Sequence, residues 1–566
     1  MGGNAVVKSL SIRVVGILCP LLAGCTAMHG GMPDFPAYGA VGEPQLFDGL
    51  GNRSRPVTTR SAEAQAYFDQ GLAWLYAFNH DEAVRSFTES AAIDPTCAMA
   101  WWGVAYAQGP NYNDPMMTPN RSAAAWEALQ KAEDALDDET PVERELIEAL
   151  AERYADPAPR DRTHLEQSFA DAMGELWERY PRDSDIGTLY AEALMVRHPW
   201  DLFTPDRMAK REDTNRIIAL LEDVLAIDPS NPGANHLYIH AVEPSDDKER
   251  GIPAADRLSD MVPGAGHLQH MPSHIYVQVG MWERSIHQNA KAMQADAAYR
   301  AASPEQTVQH GYMSHNTHML AFSAMMVGRE GEAMRAARSM WKDIPEDAFE
   351  VAGPFIDNLL CSIYDVQKRF GRWDELLAEP EPPAFLSATR AVWRAHRAIA
   401  FAAKKDFSNA EREHEAFREA VDAVPPMPMF ESYETAMKFL TVSDLFVTGE
   451  IALQKGEWDE AIRLLKQAAV VEDSLGYGEP PLWLQPVRHT LGAVYLKAGR
   501  YADAERTFRK DLDQWRDNGW SLYGLMRALE EQGDEQGAAE ARAAFERAWA
   551  NADEPITTSC KCIPEV

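Results

Sequence analysis

The sequence predicts an all-α chain, an α-solenoid of antiparallel helix pairs. Apolar residues recur at helical spacing almost from end to end, without the sustained alternation that marks strands. Small and aromatic residues return together in widely separated segments, as they do where paired helices approach closely. A His pair at i and i+4 also occurs twice, His236/His240 and His270/His274, with 34 residues between the copies. Self-similarity at such a period is the mark of repeat architectures. At 566 residues the chain exceeds one hydrophobic core, and a repeat array reaches that length without needing one.

Composition sets the limits on partners. With 46% hydrophobic and 25% charged residues the chain is a folded protein. Its 54 basic and 87 acidic residues give a net charge of -33, which repels nucleic acid phosphates and anionic headgroups and attracts cations, metal ions included. No nucleic acid partner is expected.

The first 24 residues read as a signal peptide. Lys8 and Arg13 precede or open an apolar run over residues 14–22 that is too short to span a bilayer. The run ends in Leu22-Ala23-Gly24-Cys25, which resembles the lipobox of bacterial lipoproteins. The resemblance implies cleavage before Cys25 and a lipid on its thiol. With Thr26 rather than Asp next in line, it also implies a place in the cell envelope, on the periplasmic face of the outer membrane. Residues 25–56, rich in Gly, Pro and Ala, are expected to be a flexible tether. Cys97, Cys361, Cys560 and Cys562 are too few and too dispersed for a disulfide framework, and Cys560-Lys-Cys562 is given no role.

The repeat elements follow in order. Gly71 and Trp74, then Asp81-Glu-Ala83, Phe87 and Asp94-Pro95, place small and large residues where two antiparallel helices pack. This resembles a tetratricopeptide repeat, a family whose unit length equals the 34-residue interval. Three similar units lie near the C-terminus, through Gly449, Ala452, Gly456, Trp458 and Ala461; Gly492, Tyr495, Gly499, Tyr501, Ala504 and Phe508; and Gly524, Ala528 and Gly533. Between the ends, Gly280-Met-Trp282, Gly328 with Ala333, and Gly371-Arg-Trp373 mark successive helix-to-helix turns. Residues 109–115 read as a loop, and the prolines of 380–383 and 425–428 as breaks between helix pairs. The expected organisation is N-terminal repeats over 57–230, His-rich central repeats over 231–345, a C-terminal array over 346–550 and a mobile tail over 551–566.

Nine of the 16 histidines fall between His236 and His318. In the family, the first helix of each pair lines a concave groove through its second, fifth, ninth and twelfth places. Phased from the turn glycines, His236, His240 and Glu243 take the fifth, ninth and twelfth places of one helix, and His267, His270 and His274 the second, fifth and ninth of the next. His315 and His318 take the second and fifth of the following unit, and Cys361 and Asp365 the fifth and ninth of the one after. Residues three or four apart share a helix face, so imidazoles from neighbouring helices converge.

Clustered imidazole suits a transition metal, copper or zinc ahead of iron. His236, His240, His270 and His274 are the expected ligands, and Glu243 a further ligand or a base on metal-bound water. His267, His315 and His318 complete a second ion's sphere or support the first. Pro272 opposes a regular helix between His270 and His274: it either begins a helix, leaving His267 and His270 on the entering loop, or kinks one. His287 is read as structural; His80, His164, His198, His396 and His414 as ordinary; His489 as groove polarity; His310 as ambiguous. A second possible site, Trp483 with Arg488, offers an aromatic and a cation that would clamp a peptide carboxylate, though helix packing accounts for it more simply.

The expected function is a lipid-anchored envelope protein whose groove binds a transition metal, either for catalysis as a hydrolase or oxidase or for metal binding and delivery. The alternative is a metal-free scaffold that holds a peptide or protein partner in the groove.

Overall fold

A computed structural model describes residues 36–304, 309–343, 357, 359–422, 424 and 433–563. The signal segment, Cys25 and the prolines of 425–428 lie outside them. Among the described residues the chain is helical throughout, with no strand and one isolated bridge, Phe203 to Ala209.

Helices pack in consecutive pairs, Ala62–Tyr76 on His80–Ile93, Ala98–Gln108 on Pro119–Asp134, Tyr433–Lys455 on Trp458–Asp473 and Gly519–Gln532 on Glu535–Ala548. Local chemistry fixes their ends. Asn79 accepts from Glu82 N at the start of the second helix, Thr140 and Glu143 form a reciprocal capping box, and Gly533 closes Gly519–Gln532 in the left-handed conformation.

One packing device recurs at both ends of the array. Phe87 lies between Gly71 and Gly103, where an added Cβ would come within 2.6 and 2.5 Å of its ring. Phe508 lies between Gly492 and Gly524 in the same way, at 2.3 and 2.2 Å. Each ring is wholly buried, so glycine on both sides is what lets three helices meet around one aromatic.

The array folds back on itself. Trp520 donates to Met325 O at 2.8 Å, Trp282 to Arg516 O at 2.8 Å, and Gln278 to Glu479 Oε1 at 3.0 Å, which sets the C-terminal repeats against the central ones. From the other side, the ring of Tyr76 sits over Gly233, where a Cβ would meet it at 2.4 Å.

Two expectations from composition give way here. Residues 36–56, read as part of a tether, lie against the solenoid: Phe47 packs on Trp74 and Tyr299, Arg53 pairs with Asp185 and Asp228, and Arg55 with Asp183. Residues 551–563, read as a mobile tail, bury Ile556, Cys560, Cys562 and Ile563, join Cys560 to Cys562, and accept from Gln454 at Cys562 O. A few ion pairs and apolar anchors hold each segment, which Gly and Pro content does not register.

Replacing Phe508 by Ala is expected to lower the opening free energy of the C-terminal repeats by about 3–5 kcal/mol. Hydrogen exchange over Val487–Gln532 measures it, and a loss under about 1 kcal/mol would show that the glycines close the gap on their own.

Candidate metal centre

The centre is built from three stretches of helix. Asn231 caps Pro232–Val242 by accepting from Ala234 N, and His236 and His240 sit one turn apart on it, with Glu243 as its C-cap. The next stretch runs as Gly266–His270 and Pro272–Gln278, with Met271 helical between them. Pro272 therefore starts a second segment, and His267 and His270 stand on a helical turn of their own rather than on a loop. The third stretch, His310–Met326, carries His315 and His318.

Four imidazoles have their Nδ1 committed. His236 Nδ1 lies 2.8 Å from Tyr76 O, His240 Nδ1 2.9 Å from Glu243 Oε1, His270 Nδ1 2.6 Å from Asn289 Oδ1 and His274 Nδ1 2.6 Å from Glu243 Oε2. Asn289 is itself oriented by donating Nδ2 to Ser285 O, so its oxygen faces His270. Every one of these partners is an acceptor, so each Nδ1 carries a proton, and in the neutral rings of His236 and His270 Nε2 is left as a lone pair.

The Nε2 atoms of the cluster face one another. His270 Nε2 is 2.7 Å from His274 Nε2, His315 Nε2 is 3.3 Å from His274 Nε2, and His267 Nε2 is 3.1 Å from His236 Nε2. His240 Nε2 has no hydrogen-bond partner. Two imidazole nitrogens at bonds of about 2.0–2.1 Å on a tetrahedral ion would stand roughly 3.3 Å apart. The described residues include three ligand groups whose atoms lie within 4.8 Å of one another: His236 with His240 and His267, His270 with His274 and His315, and His240 with Glu243 and His274.

The site is enclosed. His236, His240, Glu243 and His270 are 0% exposed, and His267 and His274 nearly so, while His315 is partly buried, so the cluster lies inside the array rather than along an open groove and reaches its margin at His315. Phe78 lies 4.4 Å from the His236 ring, Tyr312 4.4 Å from His267 and Trp200 5.2 Å from His240. Phe78 and Trp200 hold φ of 55° and 56°, a strained conformation for aromatic residues. From the C-terminal half, the Glu479 carboxyl reaches to 3.0 Å from His274 Nδ1.

Electrostatics follow from that enclosure. Burial, reinforced by neighbouring imidazoles, holds His236, His267, His270 and His315 far below the ordinary histidine value, so they are neutral rings. Burial also lowers His274, but Glu243 and then Glu479 outweigh it and raise the group. Burial acts to raise Glu243, yet His274 and His240 hold it down to about 2. Glu479 is pushed up by burial to about 8, against the pull of His274.

The sequence-predicted residues separate into two sets. His236, His240, Glu243, His267, His270, His274 and His315 come together. His318 does not join them: its Nδ1 is unpartnered and the nearest charge it feels is Asp365, which His396 already contacts at 3.0 Å. Cys361 is placed apart, against Asp357 O and Thr389. Glu243, expected as a ligand or base, has both oxygens on imidazole Nδ1 atoms.

Elsewhere His287 is exposed, His414 pairs with Asp444, and His489, assigned to groove polarity, is wholly buried on Asp511 at 2.8 Å. Arg488 is paired with Asp473 at 2.7 Å and Trp483 is buried, so neither forms a carboxylate clamp. Missed were Tyr76 O, Asn289, Phe78, Trp200 and Glu479. Nothing local to Glu479 in the sequence ties it to His274.

Residues 446–476 match the family described as Tetratricopeptide repeat. They fall on the Tyr433–Lys455 and Trp458–Asp473 pair, where a Cβ on Gly449 would meet Leu465 at 3.1 Å. The chain carries tetratricopeptide repeats. A comparison with the curated proteins returns no match. Among solved structures, the tetratricopeptide array is similar to the APC/C hetero-tetramer Cut9-Hcn1, at 14% identity over 87% of this chain and 78% of that chain, TM-score 0.31. It is also similar to the human IFIT1 dimer with PPP-AAAA, at 13% identity over 81% and 91%, TM-score 0.34. At those scores neither likeness bears on function.

A Glu243→Gln change leaves one carbonyl oxygen for two Nδ1–H donors. Either His240 or His274 is then expected to switch tautomer in the metal-free protein, read by long-range 1H–15N spectra, with about 3–5 kcal/mol of local stability lost. Unchanged tautomers at both positions would contradict the assignment of Glu243 as the shared acceptor.

Proposed function

We propose that this tetratricopeptide array is a transition-metal-binding protein that holds two ions in its interior. One ion takes the Nε2 atoms of His236, His240 and His267, the other those of His270, His274 and His315. The observation that carries the reading is the set of imidazole Nε2 atoms facing one another at 2.7 to 3.3 Å in a cluster that is buried except at His315. Nitrogens at that separation can share a proton or a cation, and a cation is met by several of them at once.

The surroundings support it. Tyr76 O, Glu243 and Asn289 fix ring orientation through Nδ1, the arrangement that raises ligand basicity and sets the tautomer in metal sites. Glu243, held down to about 2, supplies negative charge beside the ions. Donor chemistry of imidazole alone favours copper or zinc, with iron next. Three nitrogens per ion leave a fourth position free, as in catalytic rather than structural zinc sites. A hydrolase or oxidase at that position would need a base other than Glu243, whose oxygens are engaged, so metal binding and delivery is the reading favoured. The lipobox-like Leu22-Ala23-Gly24-Cys25 supports an envelope location with a lipid anchor.

Elemental analysis of protein purified without an affinity tag is expected to give about two equivalents of a transition metal, and His236→Ala or His315→Ala about one. Less than about a tenth of an equivalent, with none taken up from zinc or copper salts, would leave the metal-free scaffold with a peptide or protein partner as the better reading. Separately, Cys25→Ser is expected to move the protein from the membrane to the soluble fraction; a variant that stays with the membrane would remove the lipid anchor.

A further inference from the structure

A second buried cluster lies away from the imidazoles, where Ser362–Arg369 meets the C-terminal repeats. Arg369 is 1% exposed, and its Nε, Nη1 and Nη2 have no hydrogen-bond partner among the described residues. Its guanidinium carbon lies over Trp520, 3.4 Å from the ring centroid, and Trp520 is fixed by its bond to Met325 O. Next to it Lys368 is 4% exposed, with Nζ unbonded, 3.8 Å from Asp365 and over the rings of Trp483 and Phe446.

Two adjacent buried cations with their donors unmet are costly to hold. Leaving a buried charge unpaired is among the largest single penalties in a fold, and a guanidinium has no neutral form to retreat to. The nearby carboxylates are engaged elsewhere. Asp511, the charged group that acts on Arg369, already accepts through Oδ2 from His489 at 2.8 Å, Ser521 at 2.7 Å and Asn518 at 3.0 Å. Asp365 is taken by His396. Burial pushes Glu450 up to about 7 and Glu472 up to about 8, so near neutral pH neither supplies a full negative charge.

We propose that Arg369, laid on Trp520 and seconded by the charge of Lys368, is the receptor for a small oxyanion, a carboxylate or a phosphate. The contact with Trp520 anchors the guanidinium, and its three unpartnered nitrogens form the fork that takes two oxygens of one anion at once. Enclosure excludes a bulky partner and selects a small acid, a phosphate or one chain terminus. The site is distinct from the imidazole cluster and independent of any metal there.

Calorimetric titration of the full chain with inorganic phosphate, with succinate, and with an N-blocked tripeptide bearing a free C-terminal carboxylate tests this, at constant ionic strength set by chloride. Saturable binding of one of the three is expected, weakened at least about tenfold in Arg369→Met. Which probe binds names the source of the anion. Arg369→Lys keeps the charge and loses the fork, so it is expected to weaken binding too, and it decides the matter if Arg369→Met does not fold. Binding that persists undiminished in the folded variants would overturn the proposal. So would wild-type protein that binds none of the probes.

Discussion

One carboxylate organises the interior of this protein. Glu243 is wholly buried and gives one oxygen to His240 and the other to His274, joining Pro232–Val242 to Pro272–Gln278. In a low-dielectric interior a carboxylate must be met by donors, and here two imidazoles do so at once. The same bonds commit both Nδ1 protons, so the direction in which both Nε2 atoms point is decided by Glu243. Tyr76 O and Asn289 repeat the device for His236 and His270, from a different helix in each case. The convergence of nitrogens is thus a result of their outer partners as much as of helix phase.

Much of the fold was legible because its signal is local. Gly71 with Phe87, and Gly492 with Phe508 and Gly524, announce close helix approach wherever they stand, and the structure puts each ring between its glycines. The clustering of six of the seven histidines singled out in the sequence was legible for a similar reason, since helix phase places them on facing stripes. His318 shows the limit of that logic. Three residues on a helix fall about 60° short of a full turn, and that offset takes His318 from the imidazoles toward Asp365 while His315 stays.

What stayed hidden was what the chain brings from afar. Tyr76 contributes a backbone oxygen, which no residue type encodes. Phe78 and Trp200 face the rings through left-handed turns that neither side chain favours. Arg369 carries no motif of its own, and the ring that covers it, Trp520, stands 151 positions on. The terminal stretches misled in the opposite direction, because Arg53, Arg55 and Phe47 outweigh the loose composition around them.

Glu479 reaches His274 from a part of the chain that begins 205 residues after it. A ribosome therefore exposes every imidazole of the cluster well before it delivers the carboxyl that faces them. During that interval the nascent protein presents a polar, unfinished surface around His274, and closure must wait for the last repeats to dock. The order of synthesis thus makes the C-terminal quarter of the chain the element that seals its middle.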